Sequence, residues 1–125
     1  MGVSPKNKRK IIVNNRTYYW YVKEDPDDFP YDLVNHNLNA LNIVSEDKRF
    51  IVRYYLGFKS KDKRYLVVIG KDFAGMYHPG TWQRVKCPEW CKGGIVTPKD
   101  AESIIKWCMQ KKNDIVLVDF GGNII

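Results

Sequence analysis

The sequence lacks any hydrophobic run that is long enough to cross a membrane, and it has few cysteines. No stretch approaches the ~20 apolar residues of a transmembrane helix, and the apolar start at residues 11–13 is too short for the core of a signal peptide. Three cysteines, an odd number in 125 residues, do not make a disulfide framework. We therefore expect a cytoplasmic protein with reduced thiols and without membrane association.

Charge of one sign is missing from each of two consecutive segments. Residues 1–23 contain six lysines and arginines but no acidic residue, whereas residues 24–47 contain seven acidic residues but no lysine or arginine. The formal net charge of the whole chain is +7, which favours an anionic partner. The acidic segment also offers internal complementarity to its basic neighbours, and the sequence leaves both interpretations open.

The length and composition of the chain are those of one globular domain. A chain of 125 residues with 44% hydrophobic and 28% charged residues is large enough to build its own core. Residues 1–9 are basic and show no hydrophobic periodicity. We therefore predict a flexible basic tail over residues 1–9 and a single domain over residues 10–125.

Runs of β-branched and aromatic residues predict an antiparallel sheet. The first two runs are separated by Asn14-Asn15-Arg16, and because asparagine tolerates positive φ, they are typical of a tight hairpin. Short polar turns separate most of the runs, so consecutive strands are expected to pair as a meander. The predicted strands cover residues 10–13, 17–22, 41–44, 49–58, 65–69 and 115–120.

Residues 97–112 predict an amphipathic helix. Thr97 suits the N-cap, Pro98 the first helical position and Asp100 the positive end of the helix dipole. One apolar face is formed by Ala101, Ile104, Ile105, Cys108 and Met109. The predicted fold class is therefore α+β: a mainly antiparallel sheet of five or six strands with one C-terminal helix packed on one face.

Two of these segments, VNNRTYYWYV and VTPKDAESIIKW, carry a pattern that is similar to that of a known family. The matching residues are Arg16, Tyr18, Trp20 and Val22 in the first segment, Trp82 in the middle of the chain, and Val96-Thr97-Pro98 at the start of the helix. In these features the chain resembles a family of small bacterial proteins of unknown function, in which the motifs are mostly structural. The resemblance implies a single domain, and it implies no activity.

The stretch YHPGTWQRVKCPEWCKGG, residues 77–94, concentrates residue types that bind zinc or act as nucleophiles. His78, Cys87 and Cys91 are suitable zinc ligands, but their spacing lacks the close cysteine pairs of zinc ribbons. The only distant fourth ligand, Cys108, belongs to the apolar helix face. A cysteine nucleophile needs an orienting group that nothing marks. We predict no cofactor and no catalytic residue, and keep His78, Cys87 and Cys91 as weak candidates for a zinc site or a cysteine-dependent enzyme.

The alternation of side chains along the strands predicts an aromatic and basic surface. Tyr18 and Trp20 share one face of the sheet, and one helix covers only one face. If the helix covers the side of Tyr18 and Trp20, the opposite face presents Tyr19, Tyr21, Arg53, Tyr55 and Lys59.

A surface of this composition fits two classes of partner. Aromatic and arginine residues are typical of protein–protein interfaces, in which Trp82 and Trp90 would be anchors. Single-stranded nucleic acid is the alternative, since bases stack on aromatic rings while lysine and arginine contact phosphates. Tyrosine and arginine neighbours also stabilise an exposed sheet without any ligand, and the two tryptophans also suit the closing of a core. We predict a non-enzymatic binding module and favour a protein partner.

Overall fold

In the part of the chain that the structure describes, seven antiparallel strands form one sheet, and their order across the sheet is their order along the chain. The computed structural model describes residues 8–24, 33–35, 37–59, 63–76, 82–110 and 114–125. The strands are Arg9–Val13 (β1), Arg16–Glu24 (β2), Asn39–Ser45 (β3), Ile51–Tyr55 (β4), Tyr65–Val68 (β5), Gln83–Lys86 (β6) and Leu117–Val118 (β7). The predicted meander is confirmed.

The hairpin between β1 and β2 forms where the sequence predicts it. Asn14 and Asn15 both have positive φ, 50° and 65°, which matches the twist of a two-residue hairpin turn. Strand β1 begins at Arg9, so the predicted basic tail overlaps the sheet by one residue. Residues 1–7 lie outside the described residues.

The strand that the sequence did not reveal is β6. It pairs with β5 on one side and with β7 on the other. Of its four residues only Val85 is buried, so the QRVK segment has the composition of a polar loop. Its strand conformation depends on hydrogen bonds to its neighbours, and local composition does not report these.

One helix, Pro98–Met109 (α1), packs against the sheet as predicted. Thr97 and Asp100 form a reciprocal capping box, in which each side chain accepts a hydrogen bond from the other residue's backbone N–H. The buried positions of α1 are Ala101, Ile104, Ile105 and Cys108, whereas Met109 is 38% exposed. In the part of the chain that the structure describes, no helix has the length and hydrophobicity needed to span a membrane.

The helix covers the face of the sheet that carries Tyr18 and Trp20, which we call the helix face. The main core lies there, between α1 and residues such as Leu41, Val52 and Tyr54. The opposite side, which we call the open face, has a smaller core at one end, where the rings of Tyr55, Phe58 and Tyr65 contact one another edge to face.

Candidate binding surface

One row of cross-strand neighbours crosses the open face from β2 to β7. The strand register places these residues side by side in the order Tyr21, Asn42, Arg53, Val67, Arg84 and Val118. Four strand spacings of about 4.8 Å separate Tyr21 from Arg84, so the two lie about 19 Å apart. We call this line of residues, together with Lys8 over the Tyr21 ring, the cross-strand row.

Three cations along the row lie over aromatic rings. Lys8 Nζ is 5.1 Å from the centroid of the Tyr21 ring, and Arg53 Cζ is 4.9 Å from the centroid of the Trp82 ring. Arg84 Cζ lies between two rings, 5.2 Å from Phe120 and 6.0 Å from Tyr65. These separations are within the range of attractive cation–π contacts. Cations and aromatic rings therefore occur together at three points across the sheet.

The Arg53 side chain is held in place by its neighbour in the row. Its Nε–H donates a hydrogen bond of 3.1 Å to Asn42 Oδ1. The Asn42 amide nitrogen in turn donates to the backbone carbonyl of Ala40 at 3.2 Å, and Asn42 is only 8% exposed. The asparagine thus has both ends of its amide engaged, and it fixes the direction in which the guanidinium extends towards Trp82.

Trp82 is held in an unusual backbone conformation. Its φ is 61°, in the left-handed region that bulky side chains rarely adopt. The side chain is 43% exposed although the Arg53 guanidinium lies over its ring. A strained backbone of this kind persists only where the surrounding structure enforces it, and such strain concentrates at functional sites.

The open face is basic along its strands. Among the strand positions that the structure describes on this face, none is aspartate or glutamate, and the positively charged ones are Lys10, Lys23, Arg53, Arg84 and Lys86. On the helix side, Arg9 and Arg16 also lie over rings, 5.5 Å from the centroid of Trp20 and 5.4 Å from that of Tyr18, and two arginines there contact carboxylates. Arg16 contacts Asp47 at 3.0 Å and Asp72 at 2.8 Å, and Arg64 contacts Glu89 at 3.1 Å.

Two of the tyrosines that were expected on the open surface are buried. Tyr55 is 1% exposed, so the prediction that its side chain is accessible is wrong. The reason is the aromatic cluster with Phe58 and Tyr65, which closes over it. Tyr19 is 9% exposed, between Lys10 and Val44 on the flanking strands. Their neighbours along the chain and the sheet, not the alternation of faces, decide their exposure.

The remaining predicted surface residues divide between the open face and the core. Tyr21 and Arg53 are half-buried members of the cross-strand row, and Lys59 is exposed beyond the end of β4. Trp90 lies on the other side of the sheet, where its ring contacts Tyr54 and Trp107 at 5.5 and 5.4 Å. Trp90 is therefore not a surface anchor of the open face, and the alternative, that one tryptophan closes the core, is confirmed for Trp90.

A buried polar network holds the Trp90 segment. The Tyr54 hydroxyl donates to the Trp90 carbonyl and accepts from the Trp90 N–H, both at 3.0 Å. Arg64 is 6% exposed; it donates to the same hydroxyl at 2.9 Å and to Glu89 at 3.1 Å. Burial raises the pKa of Tyr54 to about 12. Sequence analysis missed Arg64, because this arginine ends the polar segment KSKDKR, residues 59–64, in which nothing indicates a buried side chain.

The cysteines are free thiols in a setting that disfavours reaction. Burial raises the pKa of Cys91 to about 12 and raises the pKa of Cys87 as well, so both remain protonated near neutral pH and are poor nucleophiles. Within the described ranges there is no group of three or more His, Cys, Asp or Glu side chains placed to hold a metal ion. His78, the third candidate, lies outside the described residues.

The two halves of the family-like pattern meet at the start of α1. A cleft of about 450 Å³ is lined by Trp20 and Val22 from β2 and by Val96, Thr97 and Pro98 from the helix start, with Arg9 at its edge. These residues thus join the sheet to the helix. Trp20 belongs to the main core and Val96 packs against it, whereas Val22 and Thr97 are exposed.

No family model, no curated protein and no solved structure matches the chain. A function therefore has to be inferred from the geometry of the chain itself, and we base it on the open face.

Proposed function

We propose that the protein is a non-enzymatic binding module that holds an anionic partner against the open face. The observation that carries this proposal is the cross-strand row, in which Lys8, Arg53 and Arg84 lie over aromatic rings. The strand positions described on this face add Lys10, Lys23 and Lys86 and no carboxylate. Positive charge on a half-buried surface concentrates the field outside it and attracts anionic ligands.

The geometry changes the preference among partners. The composition of the chain favours a protein partner, because aromatic residues and arginine are enriched in protein interfaces. The apolar centre of such an interface is depleted in lysine, however, and here two of the expected tyrosines, Tyr19 and Tyr55, are buried. The exposed part of the face is cationic, and it fits an anionic ligand better than an ordinary apolar protein patch.

The proposal is tested by removing two charges from either side of the sheet. Heparin is a suitable anionic probe. We expect the double variant Arg53→Gln/Arg84→Gln to elute from a heparin column at clearly lower salt than the unaltered protein. The matched control is Lys99→Gln/Lys106→Gln, which removes two exposed charges from α1. Equal shifts for the two variants would show that net charge alone is responsible and would refute the proposed surface.

A cysteine-dependent enzyme, the candidate from another class, receives no support from the geometry. The thiols of Cys87 and Cys91 lie in or against the main core, and burial raises both of their pKa values. A nucleophilic cysteine needs the opposite shift.

The proposal includes a cytoplasmic setting and membership of the small bacterial family that the sequence resembles. Three free thiols support the setting, and the family membership is supported by a cleft that residues of both pattern segments line, Trp20 and Thr97 among them. The setting is tested by quenching cells with acid, unfolding the protein and then alkylating its thiols, because the folded protein buries them. All three cysteines should be trapped in the reduced state, and a disulfide would contradict it.

A further inference from the structure

Building on the proposed function, we infer that the anionic partner is single-stranded nucleic acid, which lies across the strands along the cross-strand row. Bases stack on the exposed rings beside the row, above all on Trp82, while Lys8, Arg53 and Arg84 contact phosphates. This inference rests on the proposed binding surface and adds the chemical class of its ligand.

The first argument is the presentation of Trp82. A half-exposed tryptophan in a left-handed conformation costs the protein roughly 1–3 kcal/mol of strain. The core does not need this side chain, because Trp20, Trp90 and Trp107 already pack in or against it. An exposed indole offers a flat surface to any base, and base–aromatic stacking contributes about 1–3 kcal/mol per base.

The second argument is the succession of ring–cation pairs across the sheet. Tyr21 with Lys8, Trp82 with Arg53, and Phe120 with Arg84 follow one another across the sheet. Phe120 is 40% exposed. A single strand likewise presents a succession of bases and phosphates. The row of about 19 Å suits a short site of roughly four nucleotides, the lower end of sites that bind single strands without a sequence preference.

The third argument is preorganisation. Asn42 fixes the Arg53 guanidinium from one side and Trp82 contacts it from the other. A cation that is already held in place loses less conformational entropy when it contacts a phosphate. An arginine also stacks on a base in a way that lysine does not.

Two other anionic partners fit less well. An acidic protein would use the positive charges but would give no role to the strained, exposed Trp82 ring. A duplex keeps its bases stacked on each other, so a stacking surface does not reach them. Both are therefore outcomes that the experiment has to separate from the single strand.

The test measures fluorescence anisotropy of a labelled oligothymidylate, of the matching duplex and of labelled polyglutamate, at about 50 and 200 mM salt. We expect the single strand to bind more tightly than the duplex or polyglutamate. For three phosphate contacts the logarithm of the binding constant should fall with the logarithm of salt concentration with a slope of about −2.

Variants separate stacking from charge. Trp82→Leu should weaken binding about tenfold at each salt concentration without changing the slope, whereas Trp82→Phe should retain most of the affinity. Arg53→Gln/Arg84→Gln should make the slope shallower by about 1.4 units, and the control Lys99→Gln/Lys106→Gln should change neither quantity. A thermal unfolding curve for every variant serves as the control for folding.

Each other result has a distinct meaning. If the duplex or polyglutamate binds as tightly as the single strand and Trp82→Leu has no effect, the inference is wrong and the proposed anion-binding surface stands. If the double arginine variant binds all three ligands as the unaltered protein does, the proposed surface is wrong as well. If none of the three ligands binds at low salt, both proposals fail.

Discussion

The two faces of the sheet differ in the charges that the structure describes around their arginines. On the helix side, Arg16 contacts Asp47 and Asp72, and the buried Arg64 contacts Glu89 and the Tyr54 hydroxyl. These contacts join loops to the sheet. On the open face, Arg53 and Arg84 lie over aromatic rings. Arg9 and Arg16 on the helix side lie over the rings of Trp20 and Tyr18 as well, so contacts between cations and rings occur on both faces. The comparison teaches that the open face is distinguished by its charge, because none of its described strand positions is aspartate or glutamate.

Two tryptophans that lie eight residues apart also differ, in this case in their burial. Trp90 packs between Tyr54 and Trp107 and has its backbone tied to the Tyr54 hydroxyl. Trp82 is 43% exposed and strained. One tryptophan belongs to the core and the other to the surface. The predictions below test this division and the contribution of the helix-side network to stability.

The largest effect is expected for Trp90. Replacing a packed tryptophan by alanine costs about 3–5 kcal/mol, and urea unfolding of Trp90→Ala should show a loss in this range. Trp82→Gly should change the free energy of unfolding by less than about 1 kcal/mol, because relief of the left-handed conformation offsets the loss of a half-exposed ring. Equal losses for the two variants would contradict the division.

A smaller effect is expected when an arginine is replaced by methionine on either face. Arg64→Met should lower the free energy of unfolding by about 2–3 kcal/mol, because the buried Tyr54 hydroxyl loses a charged hydrogen-bond donor and Glu89, which is 38% exposed, loses its cation. Arg53→Met should cost less, about 1 kcal/mol, chiefly because Asn42 loses the hydrogen bond to its Oδ1. A cost at Arg53 as large as that at Arg64 would show that both arginines are structural.

The buried network of the helix side should also weaken at high pH. Burial raises the pKa of Tyr54 to about 12 from 10.0, so the folded protein favours the neutral phenol. The resulting stabilisation of about 2–3 kcal/mol is complete below pH 10 and is lost as the pH rises from 10 to 12. Urea unfolding across this range measures it. Tyr54→Phe is the control, and its stability should fall less steeply; parallel curves would contradict the assignment to Tyr54.

The smallest effect is expected at low pH. Hydrogen bonds from the Ser45 hydroxyl and the Arg49 N–H, together with Arg16, lower the pKa of Asp47 to about 2 from 3.8. The carboxylate then stabilises the fold above pH 4, and this contribution is lost as the pH falls from 4 to 2. Because Asp47 is exposed, the loss is a few tenths of a kcal/mol. Asp47→Asn should abolish this part of the acid dependence in urea unfolding, and an unchanged dependence would exclude Asp47 as its source.

Local features of the sequence predicted the elements whose stability is local. Asn14 and Asn15 make the hairpin because they adopt positive φ at low cost. Thr97 and Asp100 start α1 because they satisfy the free N–H groups of its first turn. The alternation of strand residues correctly separated Tyr18 and Trp20 from Tyr21 and Arg53.

The candidate surface was predicted only in part. Tyr21, Arg53 and Trp82 were named from the sequence, but the contact between Arg53 and Trp82 joins residues 29 positions apart. Arg84 was missed because it lies on β6, which has a polar composition and becomes a strand through its pairing with β5 and β7. The sequence analysis predicts an exposed Tyr55, because the alternation of side chains along a strand indicates the face of the sheet to which a residue points. It does not indicate which residues cover that face.

The sequence by itself determined the turns, the helix cap and the face to which each strand residue points, because these depend on backbone preferences and on neighbours within a few positions. The tertiary structure alone decided which tryptophan is buried, which arginines meet carboxylates and which cations align into one row. These outcomes depend on the register between strands that are distant along the chain, and on the face of the sheet that the helix happens to close.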